Sequence, residues 1–122
     1  VLLATSPFAI RYATYVRMYS LVMFEVVLGL ALVGRALERP RFGRLVAVAI
    51  LAGATLYTHY WAMYLLVTVG AVLLATSIGA DGSTRRARRR VGVAVLAGFV
   101  LWLPWVPTFL FQASHTATPW AP

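Results

Sequence analysis

From Tyr19 onward the chain alternates long apolar blocks with short stretches rich in arginine. The first block runs from about Tyr19 to Leu37, long enough to cross roughly 30 Å of hydrocarbon as a helix. The last runs from about Val91 to Leu103 and stops at Pro104. Between them lies Leu45 to Ile78, interrupted only by Thr58, His59 and Tyr60. As a single helix this middle block would reach about 50 Å at the usual rise, too long for one crossing. Two helices, 45–57 and 62–78, with a break near Thr58–Trp61, are predicted instead. The first of the pair is short and reads as a partial span buried against other helices.

The arginines set the orientation. One stretch is Arg35, Arg39, Arg41 and Arg44; the other is Arg85, Arg86, Arg88, Arg89 and Arg90; only Arg11 and Arg17 lie outside them. Loop arginines resist translocation, so connections 35–44 and 79–90 are expected on the cytoplasmic side. The chain between them must then cross an even number of times, which the pair of helices satisfies. One long helix with arginine loops on opposite sides would violate the bias. Both termini and the Thr58–Trp61 turn are thereby predicted to be extracytoplasmic. The fold class is an all-α, polytopic transmembrane bundle. It has about four spans, 19–37, 45–57, 62–78 and 91–103. An interfacial helix at 6–18 precedes them and an outer loop at 104–122 follows. Asp81–Gly82–Ser83 reads as a plain turn.

Composition strengthens this picture. Hydrophobic residues make up 61% of the chain and charged residues 11%, against roughly 25% charged in soluble domains. The net charge of +8 could in principle serve nucleic acid. The apolar blocks point instead to a lipid bilayer whose anionic head groups meet the arginines. No cysteine is present, which excludes disulfide and thiolate chemistry. Val1 to Thr5 read as the end of an earlier helix, and no signal peptide is recognisable. The chain is therefore expected to be a segment of a larger membrane protein, with the rest of the parent polypeptide as a partner.

Candidate chemistry gathers on the predicted outer side. Ser6 is a cap residue with Pro7 at the first helical position. Helical spacing puts Arg11, Tyr15, Met18, Val22 and Glu25 on one face, and Tyr12, Tyr15 and Tyr19 on an overlapping one. Such a helix would present guanidiniums, planar forks of donors suited to phosphate oxygens, beside phenols at head-group depth. The plainer alternative is an interfacial aromatic belt with snorkelling arginines. Two outer arginines set against the orientation bias call for an anionic partner.

A resemblance bears on the same residues. Ser6-Pro7, Tyr12 and Arg17-Met18-Tyr19 stand before a span. Thr58-His59-Tyr60 follows a second apolar run, and Leu103-Pro104-Trp105-Val106-Pro107 closes the last. In order and spacing this resembles the bacterial membrane glycosyltransferases of the GT-C type, in the family 39, protein-mannosyltransferase-like group. The resemblance implies an enzyme of the bacterial plasma membrane. It would move a mannose-like sugar from a polyprenyl-phosphate donor to an acceptor on the extracytoplasmic side. It implies that Arg11, Tyr12, Arg17 and Tyr19 sit near the lipid phosphate and that His59 and Tyr60 line the same cavity. It also implies a catalytic acidic residue upstream of Val1, so no catalytic residue is assigned here and the segment alone is expected to be inactive. Relatives of that group often carry a Gln-Glu pair where this chain has Thr14 and Tyr15. No metal ligands are visible, which leaves the cofactor open, a divalent ion included.

Remaining singletons have plainer readings beside functional ones. A carboxylate inside a span, as Glu25 would be, is a functional candidate by default; it could equally be held neutral or hydrogen-bonded to a neighbouring helix. His59 at a helix break could reach a cavity or bond a freed carbonyl, but a single histidine makes no metal site. His115 reads as a surface residue. Trp102, Trp105 and Trp120 read first as interface anchors and second as stacking faces for a sugar. The rival class is a transporter or flippase segment that binds an anionic lipid or solute through the outer arginines, because transporters also use broken helices. A structural membrane subunit is a third reading.

Overall fold

The computed structural model describes the backbone of residues 7–115 and the side chains of residues 20–114. Every element among them is helical: α1 (Pro7–Glu38), α2 (Phe42–Thr58), α3 (Ala62–Thr76), α4 (Gly82–Trp102), a 3-10 turn (Leu103–Trp105) and α5 (Val106–His115).

Local chemistry explains where the helices stop. Pro40 ends α1, since proline disfavours the helical region for the residue before it, and Arg41 turns extended to start α2. His59 breaks the middle block. Its backbone swings to φ −155°, ψ 106°, yet its N–H still bonds the Thr55 carbonyl at 2.9 Å and its own carbonyl accepts from Ala62 at 2.9 Å. The break therefore leaves these groups satisfied. Pro104 lacks an N–H and sits where α4 tightens into the 3-10 turn.

Several sequence expectations need correction. No separate interfacial helix at 6–18 is present, because α1 runs unbroken from Pro7; nothing between Pro7 and Glu38 is a strong breaker. The second arginine stretch is not a loop. Residues 85–90 form the first turns of α4, as good helix formers do when nothing interrupts them. Asp81 takes the cap position of α4, and Gly82 and Ser83 are already helical, so this is no plain turn. The segment after Pro104 continues as α5 to His115 and is not an outer loop over that length. The middle break falls at residues 59–61.

Two helices, Ser20–Glu38 and the continuous Gly82–Ser114, are long and apolar enough to cross a membrane. At 1.5 Å per residue α2 and α3 reach only about 26 and 22 Å. The chain runs up, down, up and down, with α4 packed on α2 and α3, and α1 on α2. Both arginine stretches consequently lie at one end and the 59–61 break at the other.

Small residues make the interior. Ala36, Ala52, Ala62, Ala87 and Ala94 are buried, while Met23, Phe24, Leu30, Val72 and Val100 face outward. The closest approach is between α2 and α4. A Cβ on Gly98 would stand 2.6 Å from the Ala52 Cβ and 2.9 Å from the Gly53 nitrogen, so only hydrogen fits. Gly70 and Gly92 play the same part between α3 and α4, against Leu96 and Leu74. Close backbone contact through small residues is how helices gain dispersion energy where burial from water gives none.

Gly98→Ala is expected to destabilise the bundle by about 1–3 kcal/mol through overpacking. Gly34→Ala, where an added Cβ meets nothing within 4 Å, should be neutral or stabilising by up to about 1 kcal/mol. Unfolding in detergent micelles measures both; equal responses would refute the close contact.

Candidate functional site

The end of the bundle opposite the arginines is a cluster of rings built by the α2–α3 connection and the α4–α5 junction. Tyr60 stands at its centre, 5.8 Å from the His59 ring, 6.0 Å from Trp61 and 5.6 Å from Phe109. Phe109 in turn meets Trp102 edge-on at 5.3 Å. Tyr57 meets Trp105 edge-on at 6.1 Å and donates its hydroxyl to the Leu101 carbonyl at 3.1 Å. In the 3-10 turn that carbonyl would face the nitrogen of Pro104, which has no N–H, and the Tyr57 hydroxyl supplies a donor there. Edge-to-face pairs of this kind add about 0.5–1.5 kcal/mol each beyond their buried area. The cluster is thus a rigid joint, with Tyr60 and Trp61 exposed and Trp102 buried.

Directly beneath lies the one carboxylate of α1's apolar stretch. Glu25 is 8% exposed. Its Oε1 accepts a hydrogen bond from the Thr58 hydroxyl at 2.8 Å, and its Oε2 is buried without a partner. The same hydroxyl lies 3.1 Å from the Ala54 carbonyl, so its single proton is shared between its own helix and α1. Glu25 lines a cavity of about 100 Å³ between α1, α2 and α3, otherwise walled by side chains such as Leu30, Leu51, Leu66 and Val69. An unsatisfied carboxylate oxygen in such a place costs about 1–3 kcal/mol or more.

Of the residues singled out from sequence, His59 and Tyr60 come together at this joint, and Glu25 lies one hydrogen bond away through Thr58. The side chains of Arg11, Tyr12, Arg17 and Tyr19 lie outside the described residues, as do those of Trp120 and His115. The backbone of α1, which carries the first four, is described. The rise of α1 carries Arg17 about 12 Å and Arg11 about 21 Å along the axis from Glu25, away from the arginine end. Sequence reading missed Thr58 as the partner of Glu25, and Phe109 as the ring linking Tyr60 to Trp102. Thr55 and Thr58, three residues apart on one face of α2, were the available signal for the first. Among the described residues no group of three or more His, Cys, Asp or Glu side chains could hold a metal ion.

At the opposite end two arginines act as helix caps. Arg44 donates through Nη1 to the Arg35 carbonyl at the end of α1. Arg88 donates to the Thr76 carbonyl at the end of α3, at 2.7 Å. Arg88 supplies a donor to a last-turn carbonyl, Arg44 adds a second bond to a carbonyl that already accepts from the Arg39 N–H at 3.3 Å, and both set positive charge at the negative pole of a helix.

Compared with known protein families, curated proteins and solved structures, the chain shows no match. Its function is therefore argued from its own residues.

Thr58→Val is expected to cost about 1–3 kcal/mol, because it strands both Glu25 oxygens. Combining it with Glu25→Met should recover part of that loss, since no carboxylate then remains unpaired. A double-mutant cycle in micelles measures the coupling, and strict additivity would show that the two side chains do not interact.

Proposed function

We propose that this chain is part of an integral membrane glycosyltransferase of the bacterial plasma membrane. It would pass a sugar from a polyprenyl-phosphate carrier to an acceptor on the extracytoplasmic side. The observation that carries the reading is the segregation of side chains along the bundle. Nine of the eleven arginines belong to the α1–α2 and α3–α4 ends, while His59, Tyr60, Trp102 and Trp105 share the other. Under the orientation bias the arginine end is cytoplasmic and the ring cluster faces outward.

The outward placement of large apolar side chains over a small-residue interior supports a lipid environment. So do the lengths of α2 and α3. Starting from the arginine boundary, helices of about 22–26 Å end just short of the far side of a roughly 30 Å core. The His59–Trp61 connection then sits slightly below the outer water boundary, where a carrier phosphate and its first prenyl units meet. The ordered motifs around Ser6-Pro7, Arg17-Met18-Tyr19, Thr58-His59-Tyr60 and Leu103-Pro104-Trp105 resemble the GT-C group and supply the reaction class.

In this reading α1 carries Arg11 and Arg17 out past the ring cluster. Sugar transfer leaves a phosphate on the carrier, and guanidinium donors beside it stabilise the charge that develops as the glycosidic bond breaks. Tyr12 and Tyr19 add hydroxyl donors, and His59 and Tyr60 stand at the α2–α3 connection on the same side, outside the Glu25 cavity. The acceptor hydroxyl is deprotonated by a carboxylate outside this segment. A second reading has one observation in its favour. A buried, half-satisfied Glu25 beside a helix break is the kind of site that transporters place near midmembrane, and there it would bind solute without chemistry.

Arg17→Ala in the full-length protein is expected to lower transfer by about two orders of magnitude, the usual effect of losing one oxyanion donor; transfer at the wild-type rate removes Arg17 from the mechanism. Sidedness has its own check. The chain has no cysteine, so a single Trp61→Cys or Ser83→Cys variant reports one site. An impermeant maleimide on intact cells should label the former and spare the latter, and the reverse pattern would end the sugar-transfer assignment.

A further inference from the structure

The arginines at the start of α4 have more to do than orient the chain. Arg88 caps α3, whereas the guanidinium groups of Arg85, Arg86, Arg89 and Arg90 make no hydrogen bond or ion pair among the described residues. With Gly82 they line an open hollow of about 330 Å³ along one face of the first turns of α4. That helix begins at Asp81 without a side-chain cap bond, so its leading N–H groups and dipole add to the positive field. The whole chain has three acidic residues against eleven arginines, and none of the three lines this hollow.

Arg89 and Arg90 also line a second feature. A groove of about 440 Å³ descends from them between α2 and α4, floored by Ala94 and Ala97 and walled by Leu45, Val46 and Val93. From Arg89 to Ala97 it runs about 12 Å along the axis. Its walls are apolar, with the Phe42 ring at the arginine end, and open to the outside of the bundle, with Phe42, Val46 and Val93 exposed. A cluster of unpaired guanidiniums continuous with an apolar trough has the shape and polarity of one ligand class: a charged head with an attached hydrocarbon chain.

We propose that this is a binding site for an anionic phospholipid. The phosphate would lie among Arg85, Arg86, Arg89 and Arg90 and one acyl chain in the α2–α4 groove. Guanidinium forks match phosphate oxygens, and the hydrocarbon fills a trough that a free anion would leave empty. The bound lipid bridges α2 and α4 at their arginine end, away from the ring cluster and Glu25. The inference uses the membrane location of the preceding reading and none of its transfer chemistry, so an inactive transferase would leave it standing.

Purified full-length protein in detergent is titrated with dioleoylphosphatidylglycerol, dioleoylphosphatidylcholine or inorganic phosphate, and bound lipid is counted by native mass spectrometry. The phosphatidylglycerol is expected to bind about tenfold or more tightly than the phosphatidylcholine. Arg89→Gln/Arg90→Gln should erase that preference, and Val93→Trp, which plugs the trough, should weaken phosphatidylglycerol while leaving phosphate unaffected. Arg39→Gln/Arg41→Gln removes the same charge from the neighbouring connection and should change nothing. All of these positions are exposed except for their backbones, and circular dichroism confirms that each variant is folded. Equal binding of the two lipids, phosphate binding as tight as the lipid's, or equal losses in both arginine pairs would overturn the proposal.

Discussion

Contact between α2 and α4 at Gly98 governs the rest of the structure. With hydrogen as the only side chain there, the α4 backbone lies directly on Ala52 and Gly53. This closeness brings Tyr57 within reach of the Leu101 carbonyl and of Trp105, which ties the α2–α3 break to the α4–α5 junction. It also closes the arginine end, where Arg89 and Arg90 stand over the groove between the same two helices. Moving the pair apart by even one methyl group would loosen both ends together, because packed interiors transmit such strain.

Polar groups inside the bundle show how little of its interior is hydrophilic. The hydroxyls of buried Thr55 and Ser77 turn back to carbonyls of Leu51 and Leu74 on their own helices. Thr58 alone among these reaches a side chain on another helix. The Glu25–Thr58 bond is therefore a point where α1 is registered against the break. The remaining Glu25 oxygen and the Trp102 indole N–H, both buried and unpaired, mark where the ring-cluster end still has hydrogen-bonding capacity.

The two arginine stretches divide their labour by position. Arg44 and Arg88 turn inward to helix ends and donate to carbonyls; the arginines around them stay outward and unpaired. One residue type thus supplies the helix caps, the charge asymmetry along the bundle and the cluster at the start of α4. A lysine could not serve all three, because its point charge lacks the fork that spans two acceptors.

Helicity, the number of apolar blocks, the break near His59 and the gathering of arginine at two connections were all legible in the sequence. They follow from local causes: hydrophobic run length, proline and charge. The helix expected at 6–18 is continuous with the first span, and the loops expected over 79–90 and 104–122 are helical at 82–90 and 106–115. Arginine and tyrosine signal a boundary to a membrane, yet they do not interrupt a backbone, so α1 and α4 run through them. What only the tertiary structure decided is who meets whom. Glycines at 53, 70, 92 and 98 look alike in the sequence; their roles depend on which helix lies opposite. Glu25 finding Thr58, and Tyr60 finding Phe109, depend on helix register across distant parts of the chain, a property that no local propensity encodes.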